Sequence, residues 1–103
     1  MLFNKPLDRL KILNTYDCLW PYILRLLEEK PMHAYILREK VKKRFKFLPG
    51  AVTSYTTLYS LYVEGLVSKE VQGRVTIYKI TKKGRLELKK ARDFYKETLR
   101  NLD

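Results

Sequence analysis

The chain is short of the residues that catalytic and metal centres draw on. It has one cysteine, Cys18, and one histidine, His33. A single cysteine excludes an intrachain disulfide, and the two residues together fall short of a Cys/His zinc site. Cys18 is expected to pack as a small apolar residue and His33 to be locally structural. There is no Ser-His-Asp set, no nucleotide-binding glycine loop and no carboxylate cluster, so an enzyme is not expected, nor a cofactor or a metal. No apolar run approaches the roughly 20 residues that cross a bilayer. Lys11 and Asp17 interrupt the early apolar residues, which argues against a secretory leader. A soluble, cytoplasmic protein is expected, with no membrane partner. Repeats, Ser/Gly linkers and low-complexity tracts are missing, and 103 residues suit one domain, 1–103.

The other shortage is of acid. Asp plus Glu number 11 against 22 Lys plus Arg, a net charge of +11. A thermophile surface enriched in both signs would not give a two-to-one excess of bases. The imbalance points to a polyanionic partner, nucleic acid first. What is abundant is apolar and aromatic: 46% of residues are hydrophobic, with eight tyrosines. A domain this size buries only about 60–65% of its unfolded surface, so a subunit interface is expected to supplement the core.

Along the chain, the spacing predicts a short amphipathic helix over 5–16. Leu7, Leu10 and Leu13 share its face, and Asn4 or Lys5 precedes Pro6, which a first turn tolerates. Residues 18–29 are apolar around most of the circumference and predict a central helix, ended by Lys30-Pro31. In 33–45, Ala34, Leu37, Val41 and Phe45 recur at i, i+3, i+7 and i+11, a core stripe. The segment 48–52 breaks that pattern. Thr53 or Ser54 is expected to cap a fourth helix running to about Glu64, with Tyr55, Leu58 and Leu61 or Tyr62 inward. Gly65 is the expected left-handed residue past its end. Strands are predicted over 66–71 and 74–80, joined through Gln72-Gly73. A last helix follows from 81 to about 102, with Leu88, Ala91, Tyr95, Leu99 and Leu102 along one stripe.

Three helices followed by a two-stranded hairpin is the plan of a winged helix-turn-helix. The division expected is an N-terminal helix (1–17), a winged-helix core (18–80) and a C-terminal helix (81–103). The fold class is mainly α with a small β-hairpin, and the terminal helices serve dimerisation. The fourth helix stands where a recognition helix would.

At this point the residues resemble the PadR family of winged-helix transcriptional regulators. "ILRLLEEKPMHAYILREKV" resembles the family's first helix, turn and second helix. There Pro31-Met32-His33 and Tyr35 match a Pro-Met-His-Gly-Tyr pattern, with Ala34 in place of glycine. "YTTLYSLYVEGLV" resembles its recognition helix, with Tyr55, Leu58, Leu61, Glu64, Gly65 and Leu66 at characteristic positions. "YKITKKGRLEL" matches the wing's return strand and the helix after it. The similarity spans about residues 18–90. Two departures stand out. Arg74 keeps a wing cation, but Val75, Thr76 and Ile77 follow it where the family often has a further base. The C-terminal region is a single helix, as in the family's shorter members.

The resemblance implies sequence-specific binding of double-stranded DNA by a homodimeric transcriptional regulator, with repression the expected sign. Residues expected at the groove are Thr53, Ser54, Thr56, Thr57 and Ser60, at the N-terminal part of the recognition helix. Tyr59 is a candidate for a further contact, with burial as the alternative. Lys40, Lys42, Lys43, Arg44 and Lys46 form the densest basic run, with Lys40, Lys43 and Lys46 the expected phosphate contacts. Arg74, Lys82 and Lys83 make a third patch with Arg85. Positive charge in the first turn of a helix opposes its dipole, and backbone phosphates are the expected compensation. The expected dimer interface is Leu7, Leu10, Leu13, Leu88, Ala91, Tyr95, Leu99 and Leu102. Some relatives bind aromatic small molecules at the dimer interface, and Tyr16, Trp20 and Tyr95 are the candidates here, although an aromatic cluster is more often core. The recognition helix carries no Arg, Asn or Gln, which keeps two other readings open: a non-specific architectural DNA binder, and a winged helix that contacts protein.

Overall fold

The computed structural model describes residues 5–103. Within them are five helices and three strands: α1 Pro6–Leu13, α2 Trp20–Glu29, β1 Met32–His33, α3 Ala34–Phe45, α4 Ala51–Val63, β2 Val67–Gln72, β3 Val75–Ile80 and α5 Lys82–Leu102. The sheet is antiparallel in the order β1-β3-β2. No helix among the described residues is long and apolar enough to cross a membrane.

α2 is the centre of the core because its apolar residues occupy more than one face. Ile23, Leu24, Leu26 and Leu27 are all buried. From α3 come Ala34, Leu37 and Val41, the expected stripe, while Phe45 is half-buried and meets Tyr22 edge-on at 4.9 Å. From α4 come Leu58 and Leu61, joined by Ser54 and not by the expected tyrosines. Val67, Ile80 and Leu88 close the core from β2, β3 and α5.

Several local expectations need correction. Asn4 lies outside the described residues, and the residue before α1 is Lys5, with Pro6 in the first turn. α1 ends at Leu13, not 16, because polar side chains turn back on it. The Asn14 amide donates to the Leu10 carbonyl at 2.8 Å and the Thr15 hydroxyl to the Lys11 carbonyl at 2.7 Å. Such local bonds compete with helix continuation. α4 begins at Ala51, and its N-cap is Gly50, three residues before the earlier of the two expected caps, Thr53. Ser54 is no cap: its hydroxyl donates back to the Gly50 carbonyl at 2.8 Å. Arg38 holds the turn that precedes α4 by donating from Nε to the Pro49 carbonyl at 2.9 Å.

The wing differs in two ways. Gln72 pairs with Val75, so the two-residue loop is Gly73-Arg74, not Gln72-Gly73. Gly73 has φ +65 and is the only positive-φ residue in that loop, the pattern of a glycine-first hairpin turn. The sheet also has a third strand: Met32 pairs with Tyr78 and His33 with Ile77. Proline at 31 keeps Lys30 extended, which delivers the next two residues to the free edge of β3. Gly65 has φ +77 past the end of α4, as expected.

The junction of β3 and α5 is built around Thr81 and Gly84. Gly84 N–H donates to the Thr81 hydroxyl oxygen at 3.0 Å, capping α5, and that hydroxyl donates to the Gly65 carbonyl at 2.7 Å. A Cβ on Gly84 would stand 2.1 Å from the Leu66 carbonyl oxygen. Glycine at 84 therefore lets the first turn of α5 lie directly on the chain leaving α4.

Candidate nucleic-acid interface

α4 fixes which side chains face outward. With Ser54, Leu58 and Leu61 inward, the opposite face carries Val52, Thr56, Tyr59 and Val63, all exposed. Thr53 and Ser60 are exposed beside it, so three of the expected groove residues (Thr53, Thr56 and Ser60) are available to a partner. Thr57 is half-buried, on a hollow of about 560 Å³ that it shares with Asp17, Trp20, Glu64 and Glu87. Ser54 is a correction. At 3% exposure it belongs to the core, its hydroxyl taken by Gly50.

Two tyrosines of α4, Tyr55 and Tyr62, lie on the wing side. Tyr55 shares a cleft of about 340 Å³ with Tyr35 at the start of α3, His33, Arg74 and Tyr78. Burial pushes the Tyr78 phenol above its ordinary range. Tyr62 takes the Lys69 ammonium over its ring at 4.4 Å from the centroid. Arg74, the wing cation, is thus brought beside α4 and the head of α3. Sequence spacing does not bring Tyr35 and Tyr55 together, because their nearness depends on how α3 and α4 cross.

The basic run on α3 divides. Lys40 and Lys43 line a hollow with Leu26, Glu29 and Arg44, turned toward α2. Arg44 is paired with Glu29, and its guanidinium holds that carboxyl below the usual range. Arg38 is turned the other way, to the turn before α4. Lys42, exposed and one helical turn further on, follows Arg38 on that side. Periodicity measured from the Arg38 contact would single out Lys42 ahead of Lys40 and Lys43. Lys46 ends α3 in the left-handed region at φ 69, with its ammonium donating to the Lys43 carbonyl at 3.2 Å.

At α5 the compensation expected from phosphates is partly internal. The Lys83 ammonium donates to the Glu64 carbonyl at 2.7 Å. The negative end of α4 thereby meets a cation, and this pairing offsets the cost of placing Lys83 at the positive end of α5. Lys82 and Arg85 are exposed.

The expected dimer residues also divide. Leu88 is 3% exposed and belongs to the protomer's own core, a second correction. Ala91 is half-buried over a small hollow of about 200 Å³ with Tyr22, Phe45 and Tyr95. Leu7, Leu10 and Leu13 on α1, and Tyr95, Leu99 and Leu102 on α5, are exposed. Phe94 joins them at 66% exposure and widens the stripe. The residues suggested for an aromatic effector do not meet within the chain. Tyr16 packs edge-on against Phe47 at 5.0 Å, Trp20 lines the hollow beside α4, and Tyr95 lines the one beside Tyr22. Burial pushes the Tyr22 phenol above its ordinary range, and its hydroxyl donates to the Asn14 carbonyl at 2.6 Å.

Solved structures share this arrangement. A transcriptional regulator from Clostridium thermocellum superposes with a TM-score of 0.80 at 19% identity, over 89% of this chain and 91% of that one. A PadR-like transcription factor from Bacteroides fragilis gives 0.77 at 26% identity, over 92% and 96%. A winged-helix DNA-binding protein from STIV gives 0.67 at 20% identity, over 82% and 89%. Among curated protein sequences none matches the chain. The model of the transcriptional regulator PadR-like family matches residues 23–90. That stretch runs from the central helix through the wing into α5, and on it the chain belongs to the PadR-like family of transcriptional regulators.

Proposed function

We propose that the protein is a homodimeric repressor of transcription that binds a specific duplex site in the cytoplasm. In this reading residues 18–80 hold the DNA, and the helices in 1–17 and 81–103 hold a second copy. The observation that carries it is the grouping around α4: Thr53, Thr56 and Ser60 exposed on the helix, and Arg74 beside Tyr55 at the wing. The helix would enter the major groove with its N-terminal residues at the base edges. Arg74, Lys42, Lys46 and Lys82 would contact phosphates, with Lys40 and Lys43 contributing at longer range. Lys83 acts indirectly, by fixing α5 to the end of α4.

The exposed apolar residues of α1 and α5 support the dimer. Covering them with the same residues of another copy would set two recognition helices about 34 Å apart, one turn of duplex. An aromatic effector, if the protein has one, would sit between copies, since Tyr16, Trp20 and Tyr95 are apart within one.

The test is a salt titration of duplex binding by fluorescence anisotropy. Neutralising about six to ten phosphates per dimer should cost ~10³–10⁵ in affinity between 50 and 200 mM salt. A flat response overturns the reading. One observation favours an architectural alternative, the lack of Arg, Asn and Gln on α4. Equal affinity for DNA upstream of the protein's own gene and for random duplex would decide for that alternative. No duplex binding at all would decide for a protein-contacting winged helix.

A further inference from the structure

We propose that α4 reads DNA through thymine methyl groups, with Val52, Thr56 and Tyr59 as the reading side chains. The inference rests on the DNA-binding function proposed above and adds the chemistry of its specificity.

The sequence of α4, AVTSYTTLYSLYV, contains no charged residue and no side-chain amide. Outward faces of helices in soluble proteins are ordinarily polar or charged. Here the outward positions at i, i+4, i+7 and i+11 are Val52, Thr56, Tyr59 and Val63. Val52 is 80% exposed, Tyr59 65% and Val63 60%. Among the described residues nothing covers this strip, and the core is complete without it. The Thr56 hydroxyl donates to the Val52 carbonyl at 2.9 Å. Its proton is therefore used within the helix, which leaves its methyl and its oxygen lone pairs for an outside partner.

Those side chains decide what the helix is able to recognise. Guanine is read by paired bonds from Arg or Lys, adenine by paired bonds from Asn or Gln, and cytosine by an acid. None of these residues lies between 51 and 63. The major groove offers one apolar feature, the thymine C5-methyl, which threonine methyls and other apolar groups contact. The valine and threonine methyls and the tyrosine ring edge along this strip match that feature, whereas the hydroxyls of Thr53, Tyr59 and Ser60 can bond several base edges without paired geometry and discriminate less. The cations lie on other elements, at Arg74, Lys42 and Lys46. Phosphate contacts position the protein and base contacts specify the sequence, and here the two tasks fall to different elements. Val63, at the far end of α4, lies outside the N-terminal half that enters the groove.

The experiment uses the full-length protein and a duplex chosen as its best binder from a random pool. Replacing thymine by deoxyuridine removes only the methyl. Each contacted methyl should account for about fourfold in affinity, the transfer of one buried carbon. A fully substituted site should lose about tenfold or more. Replacing guanine by 7-deazaguanine should change affinity less than about twofold. Val52→Ala and Thr56→Ser should both weaken binding and shrink the thymine–uracil difference. Both positions are exposed, so the melting curves of these variants should match the wild type. Three results would overturn the inference. If uracil duplexes bind as well as thymine duplexes while 7-deazaguanine weakens binding, α4 does not read methyls. If every duplex binds equally, substituted or not, there is no base readout, although DNA binding itself stands. If no duplex binds at 50 mM salt, the DNA-binding reading fails and takes this one with it, leaving a protein partner for the strip.

Discussion

The stretch from Leu19 to Leu88 and the helices beyond it are written in the same apolar residues and end in opposite states. Leu24 and Leu58 are 0% exposed, while Leu10 is 57% and Leu99 64% exposed. Nothing in the local pattern separates the two groups: each leucine sits on a helical stripe. The difference lies in what stands opposite. α2 is surrounded by α3, α4, α5 and the sheet, whereas the outer part of α5 extends past everything that packs on it. At 21 residues α5 is about 31 Å long, and every residue after Arg92 is exposed. Periodicity establishes that a face will be buried. It does not establish which chain buries it.

The sharpest break in this comparison should come at Gly84, where the first turn of α5 is seated on the packed region. Gly84→Ala is expected to destabilise by about 3 kcal/mol or more, at the upper end of overpacking costs. The added carbon would fall 2.1 Å from a backbone oxygen, and backbone yields less than a side chain. Better helix propensity would return only about 1 kcal/mol. A thermal melt followed by circular dichroism measures this. A melting temperature equal to or above the wild type would mean that α5 does not lie on the α4–β2 connection.

Next in size is the effect of charge on the uncovered stripes. Leu10→Glu and Leu99→Glu should leave the protomer's core intact while removing about 2 kcal/mol or more of apolar burial per site between copies. Analytical ultracentrifugation at micromolar concentration should then find a shift from dimer to monomer, with the far-ultraviolet spectrum little changed. If both variants sediment as the wild type does, these stripes are not the interface.

The same contrast explains how much was legible beforehand. The fold class, the positions of α2, α3 and β3, and Gly65 past α4 follow from local rules, since apolar period and left-handed glycine act within a few residues. Ser54 reads as a cap or groove residue from its neighbours alone, but Pro49-Gly50 starts α4 early and turns this fourth helical residue inward. β1 leaves no trace in the sequence because two residues carry no period; they are a strand only because β3 has a free edge. On α3 the run of lysines was visible but not its division, because Glu29 lies on another helix. The tyrosine-lined cleft at the wing was equally hidden, being formed from β1, α3, α4 and β3. Leu88 reads as an interface residue because α5 is one uninterrupted stripe, and only α2 packed against its first three turns marks where the core ends.

The smallest effect is the one that separates folding from binding most cleanly. Lys46 is the only non-glycine among the described residues with a positive φ, 69°, at the end of α3. Glycine is the residue that suits this position, and the strain of a side chain there costs on the order of 1 kcal/mol. Lys46→Gly should therefore stabilise the protein, by about 0.5 kcal/mol once glycine's greater freedom in the unfolded chain is subtracted. Its own side-chain bond, to the Lys43 carbonyl, is exposed and offers little to offset this. A lysine retained at a cost to stability suggests a use for its charge. If that use is a phosphate, the slope of log affinity against log salt should fall by about 1 per recognition helix, equally on selected and random duplexes. Higher stability with weaker, less salt-sensitive binding would show charge held against folding. Higher stability with unchanged binding would place Lys46 off the DNA path and leave Arg74, Lys42 and Lys82 to carry the phosphate contacts.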